Sequence, residues 1–105
     1  MAQSLSLEQM HAAAGRASRL MKALANPDRL MLLCQLAQRE MSVGELEAAL
    51  GIPQPTLSQQ LTVLREERLV DTRRDGKYVY YRVRKGPALA LLKALYAQFC
   101  ESKKR

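Results

Sequence analysis

Along most of the chain the apolar residues recur at helical spacing. Met10, Ala14, Ala17, Met21 and Leu24 follow one another at alternating intervals of four and three. That spacing predicts a first helix over about residues 7–25, opened by a capping box from Ser6 to Gln9. Asn26-Pro27 interrupts the pattern and starts a second helix, with the Asn side chain as cap and Pro at the first position. Its run LMLLCQLA, Leu30 to Ala37, is apolar nearly all round and is expected at the buried centre of the fold. Arg39-Glu40 ends it. A second capping box, Ser42 to Glu45, opens a third helix with a stripe of Leu46, Ala49 and Leu50. Gly51 closes that helix, since glycine takes the left-handed conformation of a helix C-terminus without steric cost. Ile52 is placed to plug the elbow before a fourth helix, where Leu57, Leu61 and Leu64 at i, i+4 and i+7 mark the inward face.

The period then changes. Leu69 to Arg73 reads as a strand, Arg74-Asp75-Gly76-Lys77 as a turn, and Tyr78 to Val83 as a second strand with Val79, Tyr81 and Val83 on one face. Gly86-Pro87 starts a last helix whose apolar side is Leu89, Leu92, Leu95, Tyr96 and Phe99. It ends at Cys100, and the tail Glu101 to Arg105 is expected to fray. These elements predict a mainly α single domain over 1–105 with one β-hairpin. The order is four helices, two strands and a helix: a helix-turn-helix over about 43–67, a hairpin wing over about 69–83, and flanking helices over about 7–25 and 87–101. The winged core, Pro27 to Val83, is only about sixty residues and buries little surface by itself. The two flanking helices, each with an apolar seam, are therefore expected to pack together and against a second copy, giving a homodimer with two-fold symmetry.

Composition narrows the partners. The chain has 105 residues, 48% hydrophobic and 26% charged, which suits one globular domain. Lys and Arg number 17 against 10 Asp and Glu, a net charge of +7 that favours an anionic partner such as nucleic acid. Met1 to Ser6 carries no basic region of a signal peptide, and the longest fully apolar run, Leu30 to Cys34, is too short to cross a bilayer. A cytoplasmic location with reduced cysteines and no membrane contact is expected.

The fourth helix is polar where it faces outward. Thr56, Gln59 and Thr62 lie opposite the leucines, with Gln54, Pro55, Ser58 and Gln60 around them and Arg65 at the basic end. Short hydroxyl and amide side chains suit base edges in a major groove, where Gln pairs with adenine and Ser or Thr with any base. A solvated face has a similar composition. The hairpin tilts the balance, because Arg73, Arg74 and Lys77 cluster at its tip, suited to phosphate or the minor groove. Double-stranded DNA with a palindromic operator is therefore the expected partner. An enzyme is disfavoured: the chain has one histidine, His11, and neither a nucleophile triad nor a glycine-rich phosphate loop. No cofactor or metal is expected, since nothing stands beside His11 to complete a ligand set.

Three stretches together resemble the ArsR/SmtB family of bacterial winged-helix repressors: Ala25-Asn26-Pro27-Asp28-Arg29-Leu30, Ser42-Val43-Gly44-Glu45-Leu46, and Leu57-Ser58-Gln59-Gln60-Leu61 with Val63-Leu64-Arg65. The resemblance covers nearly the whole chain and implies a dimer that leaves its operator when an inducer binds. Many members sense metals through a Cys-x-Cys motif in the third helix or Asp and His ligands in the last. Here the third helix begins Ser42-Val43-Gly44-Glu45 and the last has no histidine, so those metal sites are missing. Gln60 stands where many members carry His.

Cys34 on the second helix and Cys100 at the end of the last resemble the thiol- and persulfide-sensing branch of that family, which includes biofilm-growth, sulfide-responsive and haemolysin regulators. The resemblance implies that reactive sulfur species or an oxidant link the two cysteines and that the dimer then releases DNA. Each cysteine alone is also consistent with an inert buried thiol. The alternatives are a constitutive DNA-binding or nucleoid-associated protein with inert cysteines, or a regulator of another ligand.

Overall fold

The computed structural model describes residues 4–100, so the tail Glu101 to Arg105 lies outside the described residues. The elements are α1 (Leu7–Leu24), α2 (Pro27–Gln38), β1 (Met41–Ser42), α3 (Val43–Leu50), α4 (Gln54–Glu66), β2 (Val70–Asp75), β3 (Tyr78–Val83) and α5 (Pro87–Phe99). Both capping boxes are formed: Ser6 with Gln9, and Ser42 with Glu45, each side chain bonding the other residue's backbone N–H. The Asn26 side chain accepts from the Arg29 N–H, with Pro27 in the first turn. Gly51 takes φ 70°, and Ile52 is buried at the elbow.

The core forms around α2, which meets α1, α3, α4, α5 and β3. Leu32, Leu33, Leu46, Leu57 and Leu64 are fully buried, and Leu24, Leu36, Met41, Ile52, Leu61, Val70, Tyr81, Val83 and Leu92 complete the cluster. The leucine register of α4 thus holds. Burial is narrower than the sequence pattern: Met31 and Ala37 on α2, Ala49 on α3, and Tyr96 and Phe99 on α5 are exposed.

The hairpin is longer and the sheet wider than expected. Asp75 pairs with Tyr78, so the loop is Gly76-Lys77 alone, with Gly76 at φ 64°. Glycine at the first of two turn positions is the arrangement whose twist matches the flanking strands. A third strand, β1, pairs antiparallel with β3 through Met41↔Tyr81 and Ser42↔Tyr80, giving the order β1-β3-β2. The expected hairpin is therefore the outer part of a three-stranded sheet.

The flanking helices also depart from expectation. α1 and α5 each pack on α2 rather than along one another. They approach only where Ala13, Ala17 and Leu20 share a groove with Pro87 and Ala88 at the start of α5. The apolar bulk of α2 lies between them. The α1 seam consequently stays open, with Met10 and Met21 each about half exposed and Ala14 and Ala17 beside them.

α4 closes without glycine. Arg68 sits in the left-handed region at φ 60°, while the Leu69 N–H reaches back to the Leu64 carbonyl at 2.9 Å. A side chain there costs about 1–2 kcal/mol. Arg68→Gly is expected to raise unfolding stability by about 1 kcal/mol, part of the strain being offset by the freer unfolded chain. Urea denaturation checks this, and a less stable variant would show that the Arg68 side chain contributes more than its backbone costs.

Candidate nucleic-acid interface and thiol pocket

α4 divides its residues cleanly. The leucines at 57, 61 and 64 point into the core, while Gln54, Pro55, Ser58, Gln59, Thr62 and Arg65 are exposed. Thr56 is half-buried. Thr62 Oγ1 donates to the Ser58 carbonyl at 2.9 Å, which steadies one hydroxyl on the outer face. The first turn of α4 has Pro53 as its cap and no side chain bonded to its amides. Amides at such an end point outward with the positive end of the helix dipole, a favourable place for a phosphate.

Gln60 does something else. It is half-buried, and its Oε1 accepts from Arg29 Nη1 at 3.0 Å. The same guanidinium donates through Nε to the Ala23 carbonyl at 2.6 Å and through Nη2 to the Lys22 carbonyl at 3.3 Å. The Lys22 carbonyl also accepts from the Ala25 N–H, so it is the Ala23 carbonyl that the cation chiefly satisfies, and its charge complements the helix dipole. Arg29 thereby ties the end of α1, the start of α2 and the middle of α4 into one joint. Sequence reasoning missed this role, since the partners are 6, 7 and 31 residues away.

The wing splits in the same way. Arg74 and Lys77 are exposed, with Lys77 Nζ 5.6 Å from the Tyr78 ring centre. Arg73 is held instead: its guanidinium meets the Glu40 carboxylate at 2.8–3.2 Å and lies 4.8 Å from the Tyr80 ring centre. The hydrogen bond from Arg73 holds the Glu40 carboxyl below its usual range. Arg73 therefore braces the sheet against the loop after α2, while Arg74 and Lys77 present free cationic ends. A comparable fork joins Arg19 of α1 to Glu67 at the end of α4, with Nε–Oε1 at 2.8 Å.

On the opposite side, Cys34 and Cys100 line one pocket between α2 and α5, of about 460 Å³, together with Leu30, Met31, Leu95, Tyr96 and Phe99. Both thiols are free; Cys34 is half-buried and Cys100 exposed. Burial pushes the Cys34 thiol up from its ordinary value, and the nearby Cys100 adds to the rise. A thiol raised in this way is a poorer thiolate at neutral pH than an unburied one. The tail cations Lys103, Lys104 and Arg105, which follow Cys100 in the sequence, lie outside the described residues. His11 is exposed on α1, and among the described residues no group of three His, Cys, Asp or Glu is placed to hold a metal. No helix among them is long and apolar enough to cross a membrane.

Residues 26–72 match the model of the bacterial regulatory protein family arsR. The biofilm growth-associated repressor of Agrobacterium fabrum is 63% identical over 81 residues, 77% of this chain and 69% of that protein. The structure of reduced HlyU from Vibrio cholerae superposes with a TM-score of 0.86 at 38% identity, over 90% of this chain and 100% of that one. The homodimeric winged helix-turn-helix DNA-binding domain Mb0332 of Mycobacterium bovis gives 0.74 at 33% identity, over 93% and 89%.

Arg29→Lys keeps the charge but replaces a planar fork with a single ammonium, which cannot serve three acceptors spread around it in the same way. It is expected to cost about 1–3 kcal/mol of stability in urea. It should also speed hydrogen exchange at the amides of α4 relative to those of β3. Unchanged exchange in α4 would show that the joint does not hold that helix.

Proposed function

Because this chain belongs to the arsR family of bacterial regulatory proteins, we propose that it is a homodimeric repressor that reads a palindromic operator and lets go when sulfur links Cys34 to Cys100. That it is a transcriptional regulator follows from the family; the operator, the dimer and the thiol switch are the proposal. The observation that carries the switch is the placement of two free thiols, on different helices, at one pocket.

For DNA reading, the outward set Gln54, Pro55, Thr56, Ser58, Gln59 and Thr62 enters the major groove, with Gln59 the strongest candidate for a base edge. Arg65, Arg74 and Lys77 contact phosphates. Gln60 and Arg73, first expected at the DNA, are engaged by Arg29 and Glu40 and act by positioning the helix and the sheet. The open α1 seam of Met10, Ala14, Ala17 and Met21 supports a second copy packed on the flanking helices, as does the homodimeric Mb0332. Two-fold symmetry then sets the two α4 helices on successive major grooves.

For release, α2 is the shared element. Its Arg29 holds α4, and its Cys34 shares a pocket with Cys100 at the end of α5. The exposed Cys100 is attacked first, and Cys34 then resolves the modified sulfur into an intramolecular link. Drawing α5 toward α2 changes how the flanking helices meet the partner copy and so the separation of the reading helices. A loss of 1.4 kcal/mol in operator affinity is already about a tenfold weakening.

Gln59→Ala is expected to cost about 1–3 kcal/mol on the operator and to relax discrimination at one or two base pairs. Arg74→Ala and Lys77→Ala should weaken all sequences alike and reduce the log-log salt slope by about 1 each. An unaltered base-substitution profile in Gln59→Ala would mean that α4 docks otherwise.

Persulfide or polysulfide donors should release wild-type protein from its operator with sulfur added between Cys34 and Cys100 in the intact mass. Cys34→Ser and Cys100→Ser should stay bound. Release persisting in both variants, or sulfur addition without release, would favour the constitutive DNA-binding reading, in which alkylated thiols leave affinity unchanged.

A further inference from the structure

The pocket between Cys34 and Cys100 is chemically one-sided. Apart from the two thiols its walls are Leu30, Met31, Leu95, Tyr96 and Phe99, without a charged side chain. Lys93 and Gln38 line a neighbouring groove that shares Cys34 and Tyr96 with this one. A molecule that presents its sulfur atoms to both thiols must lay its substituents on these apolar walls. A carboxylate or ammonium placed there gives up part of its water and meets no charged partner among the described residues, which is unfavourable. An alkyl or aryl substituent gains from leaving water at the same contacts. The volume, about 460 Å³, lies within the range of small-molecule pockets.

We propose that this pocket selects apolar organic polysulfides, with dialkyl trisulfides as the simplest class, over charged sulfur donors of the same reactivity. The inference rests on the thiol switch proposed above and names what reaches it. The chemistry balances without a further oxidant. The Cys100 thiolate attacks the central sulfur of R–S–S–S–R; a Cys100 Sγ–S bond forms, one S–S bond breaks, and the first RS⁻ leaves and is protonated. The Cys34 thiolate then attacks that transferred sulfur and displaces the second RS⁻, which takes up the proton lost by Cys34. One sulfur atom now bridges the two cysteines. Two protein thiols have been oxidised, and the trisulfide has been reduced to two molecules of RSH.

The test compares two trisulfides that differ in charge and little in size, dipropyl trisulfide and bis(2-carboxyethyl) trisulfide, on the reduced full-length protein. Each rate is divided by the rate of the same reagent with a small free thiol, which removes intrinsic reactivity. Intact mass follows sulfur transfer, and fluorescence anisotropy of a labelled operator follows release. The expected result is a corrected rate at least about tenfold higher for dipropyl trisulfide, a ratio set by the desolvation of the carboxylates. Met31→Lys, on an exposed wall position, should bring the ratio down by about two- to fivefold by offering the carboxylates a partner. Phe99→Lys supplies the same cation from α5 should the first variant fold poorly. Equal corrected rates, or a ratio that neither lysine changes, would overturn the proposal even if both reagents release DNA. A clear preference for dipropyl trisulfide without release would uphold the pocket and remove the switch. Reaction with neither reagent would overturn both.

Discussion

The orientation of the reading helix depends on one guanidinium. Arg29 emerges from the first turn of α2 and donates to two carbonyls at the end of α1 and to the amide oxygen of Gln60 in α4. Without it, the Ala23 carbonyl at the end of α1 would lose its donor, and α4 would be held by its leucine face and the solvated Arg19–Glu67 pair. Leucine packing sets depth but tolerates small sliding and rotation, because dispersion contacts are numerous and individually weak. A charged hydrogen bond is directional and worth about 1.5–3 kcal/mol, so it fixes rotation about the helix axis. Outward residues such as Gln59 then point in one direction only.

The two sides of the molecule meet through α2. One end of this helix holds α4, and a thiol one turn further on, Cys34, shares a pocket with α5. A helix so enclosed does not bend readily, since it is packed by apolar side chains on several sides. The ion pairs Arg19–Glu67 and Arg73–Glu40 join the periphery to this centre, the first from α1 to the end of α4, the second from the sheet to the loop after α2. Both are largely solvated and so contribute orientation more than stability.

What could be read from the chain was what is local. The capping boxes at Ser6 and Ser42, the Asn26 cap, the turn at Gly51 and the leucine register of α4 are all stated within a few residues of sequence, and the structure has each of them. The unread features pair distant residues. β1 is two residues long, and Met41 and Ser42 form a strand only because β3 lies beside them. Gln60 and Arg73 looked like neighbours of Gln59 and Arg74; only the fold shows that Arg29 and Glu40 engage them. Arg68 closes a helix in a conformation that sequence readers assign to glycine. The cysteines were singled out through resemblance, and their shared pocket is a property of how α5 returns to α2.

The clean division of α4 has a consequence for how such a regulator can change over time. Leu57, Leu61 and Leu64 carry the folding, while Gln54, Ser58, Gln59 and Thr62 are exposed and contribute almost nothing to the core. Substitutions at the outer positions therefore meet little stability threshold, since surface changes seldom exceed about 0.5 kcal/mol. Those few positions can therefore change while the scaffold, the joint at Arg29 and the cysteine pocket stay as they are. Gln60, tied to Arg29, is the position in that row least free to vary. Variation of the outer face and constancy of the scaffold can thus coexist in one small domain.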